Sequence, residues 1–333
     1  MPPSSGAGSF LRRRSLLLGA AGALALGGCG AHGEVSDSAR PAARPLDLPA
    51  LPPGTPLQPL GGLVLDDDVI GLSGLSALHL SDDLRLTAVS DLARWMSAQL
   101  VLREGRPAGL AQIRTGRLRD GAGRPLPRGF AGDSESLARL PDGSWLVGFE
   151  RWHRIRAYRT LDAPGTYVEA PPGLERAPGN GGLEALAVLH DGRWLAIAES
   201  LRLPGESGLR RAWLGGPGAW MSLAYRPSYS FEPCDAAPLP DGGALVLERS
   251  FSIFSGFRGR LVRLSAAQLR DAEPERVLEG EEILSLAPPL PTDNYEGVAV
   301  ARHEGRTLVA LVSDDNENML QRSLLLLFAL QDD

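Results

Sequence analysis

One phrase, written several times over, limits what this chain can become. An acidic residue heads a short apolar run, an Asp-Gly turn follows, and a second apolar run ends on another acid. Asp133-Ser-Glu135 leads through Asp142-Gly143 and Trp145-Leu-Val147 to Glu150-Arg151. Gly182-Leu-Glu184 leads through Asp191-Gly192 and Trp194–Ile197 to Glu199-Ser200. Glu232-Pro-Cys234-Asp235 leads through Asp241-Gly242 and Leu245–Leu247 to Glu248-Arg249. A weaker copy runs from Gly71-Leu-Ser73 through Leu86–Val89 to Ser90-Asp91. The last copy carries Asp293, Asn294 and Glu296 before Gly297–Ala301, turns at Glu304-Gly305, and follows Thr307–Val312 with Asp314, Asp315, Asn316 and Glu317. Anchored on Ser73, Glu135, Glu184, Cys234 and Glu296, the copies start 62, 49, 50 and 62 residues apart. Repeats of several short strands at such a period predict an all-β protein, a β-propeller. At about 45 residues per blade, the chain from Leu60 onward has room for six blades of four-stranded antiparallel sheet.

The segments outside the repeats divide the chain into three. Residues 1–28 hold Arg12-Arg13-Arg14 ahead of an apolar, Gly/Ala-rich run without an acid, which reads as a twin-arginine signal peptide. The run ends Leu26-Gly27-Gly28-Cys29, a lipobox-like sequence that would make Cys29 the site of lipidation. Residues 29–58 are rich in Pro, Ala, Gly and Ser and are expected to form a flexible tether, because they bury too little apolar surface to offset the entropy of ordering them. Residues 59–333 are the propeller. Its ring would be closed by pairing Leu324–Leu330 with Leu60–Leu65. Between the first two copies, Trp95–Leu102 and Ala108–Arg114 read as strands, either of an insertion or of a degenerate blade. Ala266–Ala272 can make one or two helical turns.

Composition removes several chemistries. All 34 basic residues are arginine, so Schiff-base, Ser-Lys and phosphate-loop lysine chemistry are excluded. The motifs of α/β-hydrolases, zincins and dinucleotide enzymes are absent as well. Without residues 1–28 the chain has 31 arginines against 40 acids, a formal charge of −9, which argues against nucleic acid as a partner. With Cys29 lipidated no intrachain disulfide can form, and Cys234 is expected to be a small buried residue.

Innermost propeller strands face a central channel, so the repeated acids should meet in one mouth. Glu135, Glu184 and Glu296 start equivalent strands, together with Glu232 or Asp235. Glu150, Glu199, Glu248 and the Asp314-Asp315 pair end the following strands. Converging carboxylates raise one another's pKa unless a cation compensates them. Hard oxygen donors suit Ca²⁺, and the expected ligand set is Glu135, Glu184, Asn294, Glu296 and Asp315. The expected catalytic set is Glu150, Arg151, Arg249, Glu296 and Asp314, with an arginine either neutralising acids or holding an anionic substrate. His153, beside Glu150-Arg151, is a candidate base or an ordinary histidine; Trp145 and Trp194 are expected to pack the blades.

Together these motifs resemble a family of exported bacterial proteins, that of the domain called esterase-like activity of phytase, or phytase-like domain. The resemblance rests on Gly71-Leu-Ser-Gly-Leu75, Asp133-Ser-Glu135, Gly182-Leu-Glu184, Leu245-Val-Leu-Glu-Arg249, Asp293-Asn-Tyr-Glu-Gly297, Ser313-Asp-Asp-Asn316 and Gln321–Phe328. It spans about residues 60–330. It implies a β-propeller and the hydrolysis of phosphate or carboxylic esters. Ser73 and Cys234 stand where the other copies have an acid. The expected protein is thus a periplasmic or cell-envelope hydrolase of small anionic esters or sugar-derived substrates, sugar lactones being a near variant. It would be monomeric and would meet the membrane only through a lipid on Cys29. The competing class is a binding propeller without catalysis.

Overall fold

The structure is a computed structural model that describes residues 40–315 and 321–331. The apolar runs become strands because alternate residues can bury against neighbouring sheets, and these strands form five sheets, not the expected six. The innermost strands are Leu75–Leu80, Ser134–Arg139, Leu183–Val188, Glu232–Pro238 and Asn294–His303, which head blades 1 to 5 in order. Each packs against the next around a ring, the last returning to the first.

The sixth blade disappears because two copies are longer than the period suggests. In blade 1 the third and fourth strands, Arg94–Arg103 and Arg106–Arg117, absorb both runs left open above. After the fourth copy, the extra residues make the helix Ala266–Arg270 and the strand Val277–Glu279. That strand lies parallel to Met221–Arg226 and becomes a fifth strand of blade 3.

Blade 5 closes the ring as anticipated. Leu57–Leu65 pairs with Leu324–Leu330, Leu63 opposite Leu325 and Val64 opposite Leu324. The segment expected to be a tether does not stay loose after Arg40: Ala43–Leu46 pairs with residues 62–65 as the outermost strand, Ala43 opposite Leu65 and Leu46 opposite Gly62. Pairing supplies the ordering energy that its Pro-rich composition lacks. The expected signal peptide, Cys29 and the first part of the tether lie outside the described residues.

Apolar side chains collect between blades, in five clusters that each join one sheet to the next. Trp145 fills the interface of blades 1 and 2, and Trp194 that of blades 2 and 3, as their matching repeat positions suggest. The Asp-Gly turns are structural: Asp142 Oδ1 accepts from Ser144 N at 2.9 Å, and Gly143 adopts φ 86°.

Candidate functional site

In every innermost strand the register with its neighbour slips by one residue near the start: between Leu75 and Ala77, Ser134 and Ser136, Leu183 and Ala185, Pro233 and Asp235, and Tyr295 and Gly297. A bulge leaves the extra residue out of the ladder and re-aims its side chain. The bulged residues are Ser76, Glu135, Glu184, Cys234 and Glu296. The repeat start in blade 1 is therefore Ser76 rather than Ser73. A second set of equivalent positions follows from the same ladders, at the end of each second strand: Asp91, Glu150, Glu199, Arg249 and Asp314. Backbone N–H groups of Asp91, Glu150 and Glu199 donate to Gly74, Asp133 and Gly182, while Arg249 and Asp314 stand opposite Glu232 and Asn294. Four acids and one arginine occupy this second set.

On the side of blades 2 and 3 the carboxylates crowd. Asp133, Glu135 and Glu150 each bring an oxygen within 4.8 Å of the others, and so do Glu150, Glu184 and Glu199. Either group could hold a metal ion, and Glu150 belongs to both. One of its oxygens, Oε1, accepts from the backbone N–H groups of Gly181 and Gly182. Burial first, then Asp133 and Glu150, push the Glu135 carboxyl well above the usual range. Burial and Glu199 do the same to Glu184, against the pull of Arg249. Asp133 is paired with Arg151. Glu135 and Glu150 have no ion pair with an arginine among the described residues.

On the side of blades 4 and 5 the charge is balanced. Arg249 donates to Glu296 Oε1, to Asn294 Oδ1 at 3.1 Å and, across the funnel, to Glu199 Oε1 at 3.1 Å. Asn294 Nδ2 donates to the same Glu296 oxygen at 2.6 Å. Burial nevertheless raises Glu296 to about 7, with Asp314 and Glu199 adding to the rise and Arg249 opposing it. Cys234 is buried, as expected, and its Sγ reaches the carbonyls of Leu247 and Tyr295.

Several expected site residues do other work. Asp315 is no part of the funnel's metal groups: it interacts with Asp67, whose carboxyl is raised to about 7 chiefly by burial. Asp314 is the last residue of its strand, and the residue after it lies against Asp67 at the start of the short helix Asp67–Ile70. Glu296 also falls outside the two carboxylate groups, and both it and Asn294 are held by Arg249. Arg249 is engaged by Glu184, Glu199 and Glu296, and Arg151 pairs with Asp133 through its Nε alone. Glu248, next to Arg249 and therefore on the opposite face of its strand, accepts from Tyr225 Oη at 2.6 Å between blades 3 and 4. Asp235 accepts from the backbone N–H of Val298 at 2.8 Å and ties blade 4 to blade 5. Glu232 is paired with Arg210.

His153 lies against the funnel wall. Its Nε2 is 3.1 Å from the Ala177 carbonyl oxygen, and a Cβ added at Gly182 would meet both its Nδ1 and Glu150 Cγ, so glycine is needed there. Asp133, Glu150 and Glu199 are the metal-group members missing from the expected ligand set, Glu150 having been expected in the catalytic set. For Glu199 a signal existed: it holds the same repeat position as Glu150.

A narrow cavity of about 80 Å³ continues below the acids, lined by three residues from each innermost strand and apolar except for His79 and Arg139. The channel is thus charged at one mouth and oily within.

The profile of the family described as phytase-like, esterase-like activity of phytase, matches residues 70–317. The chain belongs to this family. No curated protein matches the chain. Among solved structures, a gluconolactonase from Xanthomonas campestris is similar at 12% identity and a TM-score of 0.46, covering 87% of this chain and 99% of its own. A PQQ-bound aldose sugar dehydrogenase from Streptomyces coelicolor is similar at 14% identity and a TM-score of 0.41, covering 78% of this chain and 95% of its own. Virginiamycin B lyase from Staphylococcus aureus follows at 8% identity and a TM-score of 0.41, covering 86% of this chain and 96% of its own.

Proposed function

We propose that this phytase-like propeller is an exported hydrolase of phosphate or carboxylic esters that works with Ca²⁺ at the acidic mouth of its channel. One observation carries the reading: Glu150 is shared by two groups of three carboxylates, and neither it nor Glu135 is neutralised by an arginine among the described residues. Such a set is costly unless it takes up protons or a cation. Its donors are hard oxygens at positions that leave room for variable coordination, which suits Ca²⁺ better than a soft transition metal. Asp133, Glu135, Glu150, Glu184 and Glu199 would hold the ion.

A cation bound there would polarise the ester oxygen and lower the pKa of a coordinated water. Glu296 lies near enough for its charge to raise Glu135 and Glu184, and so would be within reach of a water held there. With a pKa of about 7 it can take the proton of the attacking water and return it to the leaving oxygen. Arg249 and Asn294 keep that carboxylate in place. The apolar channel floor below limits how far water can penetrate. Export, and a lipid on Cys29, rest on the twin-arginine run and the Leu26–Cys29 motif.

Calorimetric titration of Ca²⁺ into chelator-treated protein tests the site, followed by assay against phosphate esters, carboxylic esters and lactones. The reading expects binding that Glu150→Gln abolishes and turnover that Glu296→Gln removes while binding persists. Binding without turnover of any of these substrates would make the protein a ligand-binding propeller. Absence of Ca²⁺ binding would remove the metal mechanism.

A further inference from the structure

Arg249 is engaged by several acids and Arg151 by Asp133, so a second cationic surface near the funnel would serve a substrate's anionic group. Beside the funnel, where blade 3 meets blade 4, an open pocket of about 550 Å³ is lined by Arg202, Arg210, Arg226, Ser228, Tyr229 and Ser230, with Glu232 at its edge. It adjoins the catalytic mouth through its own strands. Arg202 lies three residues beyond Glu199 on the same strand, and Glu232 is the ladder partner of Arg249.

Three arginines from neighbouring strands meet at the end of blade 3. Arg202 stands directly opposite Arg210 and Arg210 opposite Tyr225, so these share a face; Arg226, next to Tyr225, starts from the other face and joins the pocket lining at the end of its strand. Like charges facing each other across a ladder destabilise it unless something negative comes between them. Arg210 is buried and satisfied, its Nε and Nη2 both donating to Glu232. Arg226 donates only its Nε to Glu279, at 2.7 Å in an exposed pair that contributes little. Arg202 has no ion pair among the described residues. The pocket therefore holds one fully uncompensated guanidinium and one that retains free donors, with the hydroxyls of Ser228, Tyr229 and Ser230 alongside.

We infer that this pocket is the anion subsite of the enzyme and takes the phosphate of a phosphorylated small molecule whose ester bond lies over the acidic mouth. The inference rests on the proposed hydrolytic function for the second half of that statement; the phosphate site itself does not need it. Two arginines with spare donors and several hydroxyls match a dianion with three acceptor oxygens better than a carboxylate with two.

The test is titration of inorganic phosphate into the chelator-treated full chain, read by ³¹P NMR and calorimetry, so that no funnel metal can bind the anion. Saturable binding is expected, weakened about tenfold or more in Arg202→Ala/Arg226→Ala, as loss of charge-assisted hydrogen bonds implies. Glu184→Gln, in the funnel, should leave phosphate affinity within about twofold. Arg202 is exposed and unpaired and Arg226 is exposed, so the double variant should fold, and Ca²⁺ titration of it reports on the funnel separately. Unsaturable phosphate binding in the native chain, or unchanged affinity in the double variant, overturns the inference even if Ca²⁺ binds. Phosphate binding that persists in a chain without Ca²⁺ affinity would instead uphold the pocket and discard the funnel mechanism.

Discussion

The two halves of the funnel are built from equivalent positions of one repeat, yet they solve opposite electrostatic problems. On blades 2 and 3 five carboxylates share a small space; Arg151 pairs with Asp133 and Arg249 reaches Glu184 and Glu199, while Glu135 and Glu150 have no arginine partner among the described residues. On blades 4 and 5 a single change of sign, Arg249 where the other blades have Asp91, Glu150, Glu199 and Asp314, gives the acids an internal counter-ion. Cys234 in place of a glutamate thins the charge further. The difference teaches that a repeat supplies geometry and that the exceptions to it divide the labour: carboxylate groups that could hold a cation on one side, and an arginine-centred charge network on the other.

Substitutions of one type should therefore act with opposite sign on the two halves. The largest effect expected is on metal binding: Glu150→Gln should reduce Ca²⁺ affinity by a hundredfold or more in calorimetry, roughly 3 kcal/mol, because both groups lose their shared ligand. Next comes Arg249→Met, which strips Glu296, Glu199 and Asn294 of their partner and should cost about 3 kcal/mol in denaturant unfolding. By contrast Glu184→Gln should stabilise the chelator-treated protein by about 1 kcal/mol through relief of repulsion, while still weakening Ca²⁺ binding. If that variant loses stability without metal, the crowded half is not under electrostatic stress and the contrast fails.

The pH dependence follows from the same asymmetry. Glu296 and Asp67 both have folded pKa values of about 7, above those of the unfolded chain. Between about pH 4.5 and 7 the folded state holds protons that the unfolded state has lost, so stability falls as pH rises through this window. Denaturation midpoints of the chelator-treated protein should therefore be higher at about pH 5 than at about pH 8. A flat or rising profile would show that Arg249 fully compensates Glu296. The smallest effect expected is that of Asp315→Asn, which should leave Ca²⁺ affinity at the funnel unchanged and reduce the repulsion felt by Asp67. A loss of funnel affinity in that variant would return Asp315 to the ligand set.

Much of the fold was legible because a strand's requirements are local. Alternation of apolar residues, Asp-Gly turns and a repeat period identify the propeller and the closing pair of Leu60–Leu65 with Leu324–Leu330, whose first strand begins at Leu57 in the structure. Blade number was not legible, since Val277–Glu279 joins the sheet of an earlier copy and so lengthens the apparent period. For the site, Glu135, Glu184 and Glu150 stood out by repetition. Asp315, one residue beyond Asp314, could not be assigned from its neighbourhood in sequence, because a single peptide step carries its side chain to Asp67.

The sequence by itself determined that this chain would be a closed ring of small sheets with acids at equivalent strand ends. It also carried the exceptions, Ser76, Cys234 and Arg249. Only the tertiary structure decided what each acid meets. Charges interact over a few ångströms of space and not along the chain, and Arg249 reaches Glu199 from one blade away and Glu296 from the other side. The same holds for Arg202, Arg210 and Arg226, which lie on three strands and line one pocket only when the sheet is formed.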